Sequence, residues 1–273
     1  MIFAGFPWGA LPPRVMGILN VTPDSFSGDG RLDGAAILRG EALIAAGAEM
    51  LDIGGESTRP GAEPVSPQDE IRRILPVIEA LAPRIPISID TRHAATMAAG
   101  LRAGARVIND VTALRHDPAA LDVAARAGCP VIIMHMPGTD PRTMQAQIGY
   151  TDVVAEVTDF LLARAATLRA AGLAEICLDP GIGFGKTTAQ NLALLRALPA
   201  LASHGLPVLL GASRKSFIAG VSPAPVEARL PGSLAAALAG AAAGIAWLRV
   251  HDVAETRQAL AVWGAIHGTG KTA

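Results

Sequence analysis

The chain has 273 residues, of which 51% are apolar and only 4% are aromatic. This length suits one or two domains, and a single α/β barrel commonly needs about 250 residues. A chain this apolar can bury enough surface to offset its ordering entropy, which excludes intrinsic disorder. With 23 Lys and Arg against 24 Asp and Glu, the net charge is −1. The chain therefore lacks the basic excess of a nucleic-acid-binding protein.

Two cysteines and one long apolar run bear on the cellular location. Cys129 and Cys177 lie among apolar residues and are too few for a disulfide framework, so we predict a reduced, cytoplasmic compartment. The first eleven residues have no basic region ahead of their apolar residues, so no secretory signal is predicted. The longest uncharged run, 230–248, contains Pro231 and three glycines and is rich in alanine. It predicts a buried helix followed by a strand, and no membrane span.

Short aliphatic or β-branched runs bounded by Gly or Pro recur along the chain and predict eight strands. The strands are predicted to begin near Val15, Met50, Ile87, Val107, Val131, Ile176, Val208 and Ile245. Amphipathic segments in the gaps predict eight helices, at 34–46, 67–81, 94–103, 118–127, 152–171, 191–202, 232–243 and 253–266. Each interval between strands is long enough for a strand and a crossover helix.

Strict alternation of apolar strands and helices predicts an α/β fold with a parallel sheet covered on both faces. Closure into a (β/α)₈ TIM barrel suits this count and length. An open doubly wound sheet is the alternative, and it would leave two edges to protect. No linker, repeat or low-complexity segment divides the chain, so we predict a single domain over residues 1–273.

Polar or ionisable residues follow every predicted strand. In chain order they are Asn20, Asp52, Asp90, Asn109, His135, Asp179, Lys215, and Arg249 with His251. One such residue would be an ordinary loop or capping residue. Barrel active sites form at the carboxyl ends of the strands, so eight in register predict a catalytic site there.

Five segments of the chain resemble dihydropteroate synthases: 16–27, 51–61, 179–186, 213–216 and 249–252. The resemblance runs in order over essentially the whole chain. It implies a transferase that joins (7,8-dihydropterin-6-yl)methyl diphosphate to 4-aminobenzoate with Mg²⁺, giving 7,8-dihydropteroate and diphosphate in folate biosynthesis. A catalytically silent pterin-binding paralogue and a folate-dependent methyltransferase on a similar barrel are the alternatives.

The resemblance implies a pterin pocket built from strand ends. The pterin edge presents an N–H beside an NH₂, which one carboxylate can accept bidentately, and Asp179 and Asp90 are candidates. Asn109 can both donate and accept a hydrogen bond. The resemblance adds Lys215 at the ring's acceptors and Met134 in the pocket. Taken singly, Asp90 could instead be a helix N-cap and Asp179 a turn-former.

The second substrate, the leaving group and the metal are assigned by the same resemblance. Arg249 and His251, two residues apart on one strand, face the same side and can donate to diphosphate. Asp252 is a better N-cap than His251 for the helix that follows. The resemblance makes Asn20 the Mg²⁺ ligand, since one amide oxygen with phosphates and waters suits that ion. The remaining substrate-binding candidates are Phe26, Thr58, Arg59, Pro60, Phe184 and Ser216.

The first loop departs from the family's pattern at one acidic position. The family's first loop reads Asp-Ser-Phe-Ser-Asp-Gly-Gly, whereas residues 24–30 place the second acid one position later, at Asp29, which is given no role. Residues 265–272 satisfy a relaxed phosphate-loop pattern, but a predicted helix precedes them, so we predict a frayed tail. The resemblance also implies a homodimer through helix faces, including 234–243.

Overall fold

The computed structural model describes residues 2–9, 12–22, 32–57 and 63–268. The strands are β1 (Ile2–Phe3), β2 (Phe6–Pro7), β3 (Arg14–Asn20), β4 (Met50–Gly54), β5 (Ile87–Asp90), β6 (Val107–Asp110), β7 (Val131–Met134), β8 (Ile176–Asp179), β9 (Leu209–Leu210) and β10 (Trp247–Val250). The helices are α1 (Leu32–Ala45), α2 (Pro67–Leu81), α3 (Ala94–Arg102), α4 (Ala120–Ala127), α5 (Val153–Ala170), α6 (Thr188–Arg196), α7 (Leu198–Ala202), α8 (Ser216–Val221), α9 (Leu230–Ala242) and α10 (Val253–Ile266).

Strands β3 to β10 form one parallel sheet in the order β8-β7-β6-β5-β4-β3-β10-β9. A parallel bridge between Leu178 and Val208 brings β8 beside β9, so the sheet curls into a nearly closed barrel. Helices surround it, and the predicted (β/α)₈ barrel is confirmed. Each predicted strand begins within two residues of the observed one.

Side-chain alternation along the strands divides the core into an inner and an outer layer. In β4, Leu51 and Ile53 belong to the large cluster between sheet and helices, while Met50 belongs to the cluster inside the barrel. Because successive side chains of a strand point to opposite faces, Asp52 shares the inward face of Met50. The inner cluster comprises Phe3, Met16, Met50, Val107, Ile132, Cys177, Leu209, Ala246 and Trp247.

A short hairpin that the sequence did not predict, β1–β2, covers the amino-terminal end of the barrel. Phe3 is fully buried within the inner cluster, and the ring of Phe6 meets that of Trp247 edge-on at 5.3 Å between centroids. The carboxyl ends of the strands form the opposite end, where the polar residues gather.

The helices differ from the prediction in two places. The predicted helix 191–202 is two helices, α6 and α7, because Pro199 has no N–H to continue the ladder past Ala197. The six-residue helix α8 was missed, since its length is too short for a periodic pattern. Residues 230–248 form α9 followed by β10, as predicted. No helix in the described ranges is long and apolar enough to cross a membrane.

Candidate active site

Side chains from four strands are linked by hydrogen bonds inside the barrel mouth, around the buried carboxylate of Asp52. Asp52 of β4 has no exposed surface, and its Oδ2 accepts from Nε of Arg249 at 2.5 Å and from Nδ2 of Asn109 at 3.1 Å. Nη2 of Arg249 donates to Oδ2 of Asp90 at 2.6 Å. The barrel thus brings together three predicted site residues: Asn109 and Arg249 both bind Asp52, and Arg249 also binds Asp90.

Asp52 was noted as a strand-end residue but was not among the predicted site residues. The signal was present, since an acid stands in the middle of the otherwise apolar, fully buried strand Met-Leu-Asp-Ile-Gly. Burying an ionised carboxylate is costly unless it is paired, so such a position requires a cation nearby. Its partner, Arg249, lies 197 residues away in the chain.

Charge in the mouth is unevenly matched, because Asp52 and Asp90 share one guanidinium. Burial raises the pKa of Asp90 to about 7; Arg249 opposes this rise, and the charge of Asp52 adds to it. The pKa of Arg249 is raised despite its burial, because both carboxylates stabilise its cation. Among the described residues its Nη1 has no hydrogen-bond partner, so one edge of the guanidinium remains available to an anionic ligand.

Asp179 and Lys215 face each other across the ends of β8 and β9. Asp179 is 6% exposed, and its Oδ1 accepts from the amide of Gly181 at 2.7 Å, so it also has the turn role considered for it. Nζ of Lys215 donates to the carbonyl of Ile182 and lies 4.5 Å from the ring centroid of Phe184. Burial lowers the pKa of Lys215 to about 8, against the opposing charge of Asp179.

At β10, His251 and Asp252 behave differently from each other. Nδ1 of His251 lies 3.0 Å from Oγ of Ser213, at the rim of the mouth. Asp252 occupies the N-cap position of α10 but makes no side-chain cap. Its carboxylate instead accepts from Nε of Arg214 at 2.9 Å, so the capping role expected for Asp252 is wrong. A guanidinium can bind a carboxylate with two charged donors, which explains why Asp252 binds Arg214 and not the amides of α10.

The other predicted residues within the described ranges lie around this centre. Met134 is buried in a small apolar cluster with Val111, Met136 and Met144, and Phe184 packs against it. Asn20 ends β3, half-buried, level with Gly54 of the adjacent strand. Ser216 is the exposed first residue of α8.

Five positions discussed in the sequence analysis, Phe26, Asp29, Thr58, Arg59 and Pro60, lie outside the described residues. The loop that contains the last three begins beside a buried ion pair. Glu56 and Arg92 are joined by two hydrogen bonds of 2.9 Å each. Although burial alone would raise the pKa of Glu56, its bond to Arg92 and the charge of that residue hold it below its usual value.

The chemistry of the donor set was tested against a Mg²⁺ ion. Within the described ranges no group of three or more His, Cys, Asp or Glu side chains could hold a metal by itself. Asn20 provides one hard, neutral oxygen at the mouth, which fits an ion that keeps several waters and takes its other ligands from substrate phosphates. The residues present therefore fit Mg²⁺ bound together with a diphosphate.

The fold is that of a barrel enzyme, and its mouth gathers the carboxylates of Asp52, Asp90 and Asp179 with the cations of Arg249 and Lys215. A sequence profile of the family described as pterin binding enzyme matches residues 16–251. The chain is 45% identical to dihydropteroate synthase of Escherichia coli (strain K12) over 92% of its length and 90% of that protein. The chain belongs to the pterin-binding enzyme family, as one of its dihydropteroate synthases, and is a transferase.

Solved structures agree with this assignment. Xanthomonas albilineans dihydropteroate synthase with 4-aminobenzoic acid superposes with a TM-score of 0.88, at 49% identity, over 93% of each chain. The same enzyme in complex with 7,8-dihydropteroate gives a TM-score of 0.85 at 46% identity, over 93% of this chain and 94% of that one.

Proposed function

We propose that this chain condenses (7,8-dihydropterin-6-yl)methyl diphosphate with 4-aminobenzoate, using Mg²⁺, and releases 7,8-dihydropteroate and diphosphate. One observation carries the proposal. The barrel mouth places the carboxylates of Asp52, Asp90 and Asp179, of which the first and the last are buried, around the cations of Arg249 and Lys215. A pterin needs acceptors for its N–H and NH₂ groups, and a diphosphate needs cations, so one pocket offers both.

The pterin would lie between Asp179 and Asn109, which enter the mouth from β8 and β6. Asp179 is buried, and its Oδ2 and Nζ of Lys215 both lie near Gly211, at 3.7 Å and 3.9 Å from the place that a Cβ on this glycine would take. The carboxylate can accept from the pyrimidinone edge while the ammonium donates to a ring acceptor. Met134 supplies an apolar wall for the ring.

The diphosphate would lie toward β10, at Arg249 and His251, and Thr58 and Arg59 are proposed as further substrate-binding residues. Arg249 is held in place by Asp52 and Asp90, so it is oriented before the ligand arrives. Asn20 would hold Mg²⁺, which when bound supplies charge neutralisation for the departing diphosphate. The donors of Arg249 and His251 stabilise the same negative charge as it develops.

We propose that bond cleavage precedes attack, in an SN1-like path. The C–O bond to diphosphate breaks first, and the electron-rich pterin ring stabilises the methylene cation that remains. The neutral arylamine nitrogen then attacks that carbon and loses a proton. Phe184, with Pro60 and Phe26, would hold the arylamine ring, and Ser216 its carboxylate. The enzyme positions groups and stabilises charge, and forms no covalent bond to substrate.

Diphosphate release tests this proposal directly. Purified chain is mixed with Mg²⁺, the pterin diphosphate and 4-aminobenzoate, and release is followed against a blank without arylamine. Arylamine-dependent release with formation of dihydropteroate supports the proposal. No release above the blank, with the pterin still bound, would identify a silent paralogue. A pterin diphosphate that binds no tighter than the bare pterin would favour the methyltransferase alternative.

We further propose one domain over residues 1–273, a homodimer and a cytoplasmic location. The exposed apolar side chains Val221 and Val226, near α8 and α9, support an interface on that side. Both cysteines are buried and free, which suits a reducing compartment. Analytical ultracentrifugation of the purified chain tests the dimer, and a single monomeric species would refute it.

A further inference from the structure

Lys186 is a buried lysine whose hydrogen-bonding capacity is fully used by backbone carbonyls. It is 5% exposed, and Nζ donates to the carbonyls of Gly181 at 2.9 Å, Phe184 at 3.0 Å and His135 at 3.2 Å. An ammonium has three donors, so none remains for a ligand. It forms no ion pair with any carboxylate of the described ranges. Burying an ammonium without a bonded counter-ion is costly, so a lysine at this position requires an explanation beyond stability.

Two of the three carbonyls, those of Gly181 and Phe184, belong to a glycine-rich turn, and the third belongs to the segment that follows β7. Gly181, Gly183 and Gly185 all have left-handed backbones, with φ of +69°, +83° and +58°. A Cβ on Gly181 would collide with the carbonyl oxygen of His135, so the turn lies directly against the segment that follows β7. Glycines lose more entropy on ordering than other residues, and such a turn needs an external restraint. Lys186 provides part of it by binding the turn's first and fourth carbonyls and the neighbouring segment, and Oδ1 of Asn191 adds to it by accepting from the amide of Gly183 at 2.7 Å.

The turn presents three groups to the mouth. The amide of Gly181 binds Asp179, the carbonyl of Ile182 accepts from Lys215, and the ring of Phe184 lies beneath the ammonium of Lys215. Lys186 bonds the backbone carbonyls of the turn and of the neighbouring segment, and none of these three groups directly. Whatever fixes the turn therefore fixes the Phe184 ring and the acceptor that orients Lys215.

We infer that Lys186 is a positioning residue for the arylamine side of the site: its ammonium holds the glycine-rich turn so that the ring of Phe184 meets the incoming arylamine. The inference rests on the proposed function, which assigns the arylamine to Phe184. The inference predicts different effects of Lys186 on binding of the arylamine and on binding of the pterin. The two pterin-binding side chains, Asp179 and Lys215, stand on backbones that the ends of β8 and β9 hold in place, so binding of the pterin depends less on Lys186 than binding of the arylamine does.

Three variants test this inference. Lys186→Met removes all donors at similar length, Lys186→Gln keeps an amide donor, and Lys186→Arg keeps the charge and donors. Arg196→Met, on the exposed face of α6, is the matched control for loss of a nearby cation. Steady-state kinetics give kcat and KM for 4-aminobenzoate, and calorimetry gives Kd for the pterin diphosphate.

We expect Lys186→Met to raise the arylamine KM at least tenfold, while kcat and the pterin Kd change less than threefold. Lys186→Arg should recover part of the KM, and the control should match the wild type. An unchanged arylamine KM, or a loss confined to kcat and thermal stability, would overturn the inference. If Lys186→Met does not fold, the same criteria apply to Lys186→Gln. Absence of diphosphate release by the wild type would instead refute the proposed function.

Discussion

Glu70 is a carboxyl group buried directly behind the site, and its protonation should make the stability of the fold depend on pH. It lies on α2 with no exposed surface. Its Oε2 accepts from the hydroxyls of Thr91 at 2.8 Å and Thr96 at 2.7 Å, and Thr91 follows Asp90. Among the described residues, Oε1 has no partner. Burial raises the pKa of Glu70 to about 7, so the folded state holds the proton more tightly than the unfolded state.

The size of the effect follows from that difference in pKa. A rise from 4.5 to about 7 corresponds to about 3 kcal/mol in the free energy of unfolding. The stabilisation is fully present below the unfolded pKa, because the carboxyl is then protonated in both states. It is lost as the pH rises from the unfolded pKa of 4.5 through the folded pKa of about 7, because over that range the unfolded chain has released the proton and the folded protein still holds it. Between pH 5 and pH 8 the loss amounts to about 2.5 kcal/mol.

Substitution of Glu70 by Gln removes the titrating carboxyl group and keeps a side chain of nearly the same size and shape. Urea unfolding of wild type and Glu70→Gln at pH 5 and pH 8 gives the free-energy difference at each pH. We expect that difference to move in favour of Gln by about 2.5 kcal/mol between the two values. Any constant cost of the new amide cancels in the comparison. Glu79→Gln, at an exposed position of the same helix, is the control. A difference for Glu70→Gln that is the same at both pH values would refute the reasoning.

Three further predictions concern the mouth. Asp179→Ala should weaken binding of the pterin diphosphate by about 10- to 150-fold in calorimetry, since hydrogen bonds to a charged group contribute about 1.5–3 kcal/mol; a Kd within twofold of wild type would contradict the pterin assignment. Asn20→Ala should raise the Mg²⁺ concentration for half-maximal activity, and an unchanged Mg²⁺ dependence would make the metal assignment wrong. Asp52→Asn should lower the free energy of unfolding by at least about 1.5 kcal/mol in urea, because Arg249 loses a charged acceptor; equal stability would show that Asp90 alone suffices.

The sequence predicted the barrel because its signal is local. Strands such as β4 and β7 are short, aliphatic and bounded by Gly or Pro, and the helices between them carry a regular apolar face. Parallel strands must then place their carboxyl ends at one end of the barrel. That geometric necessity located Asp90, Asn109 and Asp179 correctly without any knowledge of their contacts.

What the sequence could not supply were pairings across the barrel. Asp52 and Arg249 meet because β4 and β10 both flank β3, a neighbourhood set by closure of the sheet. The sequence could not show that Asp252 binds Arg214 and leaves the helix uncapped, because Arg214 belongs to a different loop. The bonds of Lys186 cannot be read from the sequence for a related reason: its acceptors are backbone carbonyls, which no residue type reveals.

The least extensive strand pairing in the barrel is the one between β8 and β9. In the described structure the two strands are connected by the Leu178–Val208 bridge and by a bond from the Leu178 amide to the Pro207 carbonyl. Asp179 and Lys215 stand on opposite sides of this pairing, at its open end. A ligand that binds both Asp179 and Lys215 therefore connects the two strands for as long as it is bound. By thermodynamic linkage, part of its binding free energy goes into holding the scaffold together, and occupancy of the mouth stabilises strands that the ligand never touches.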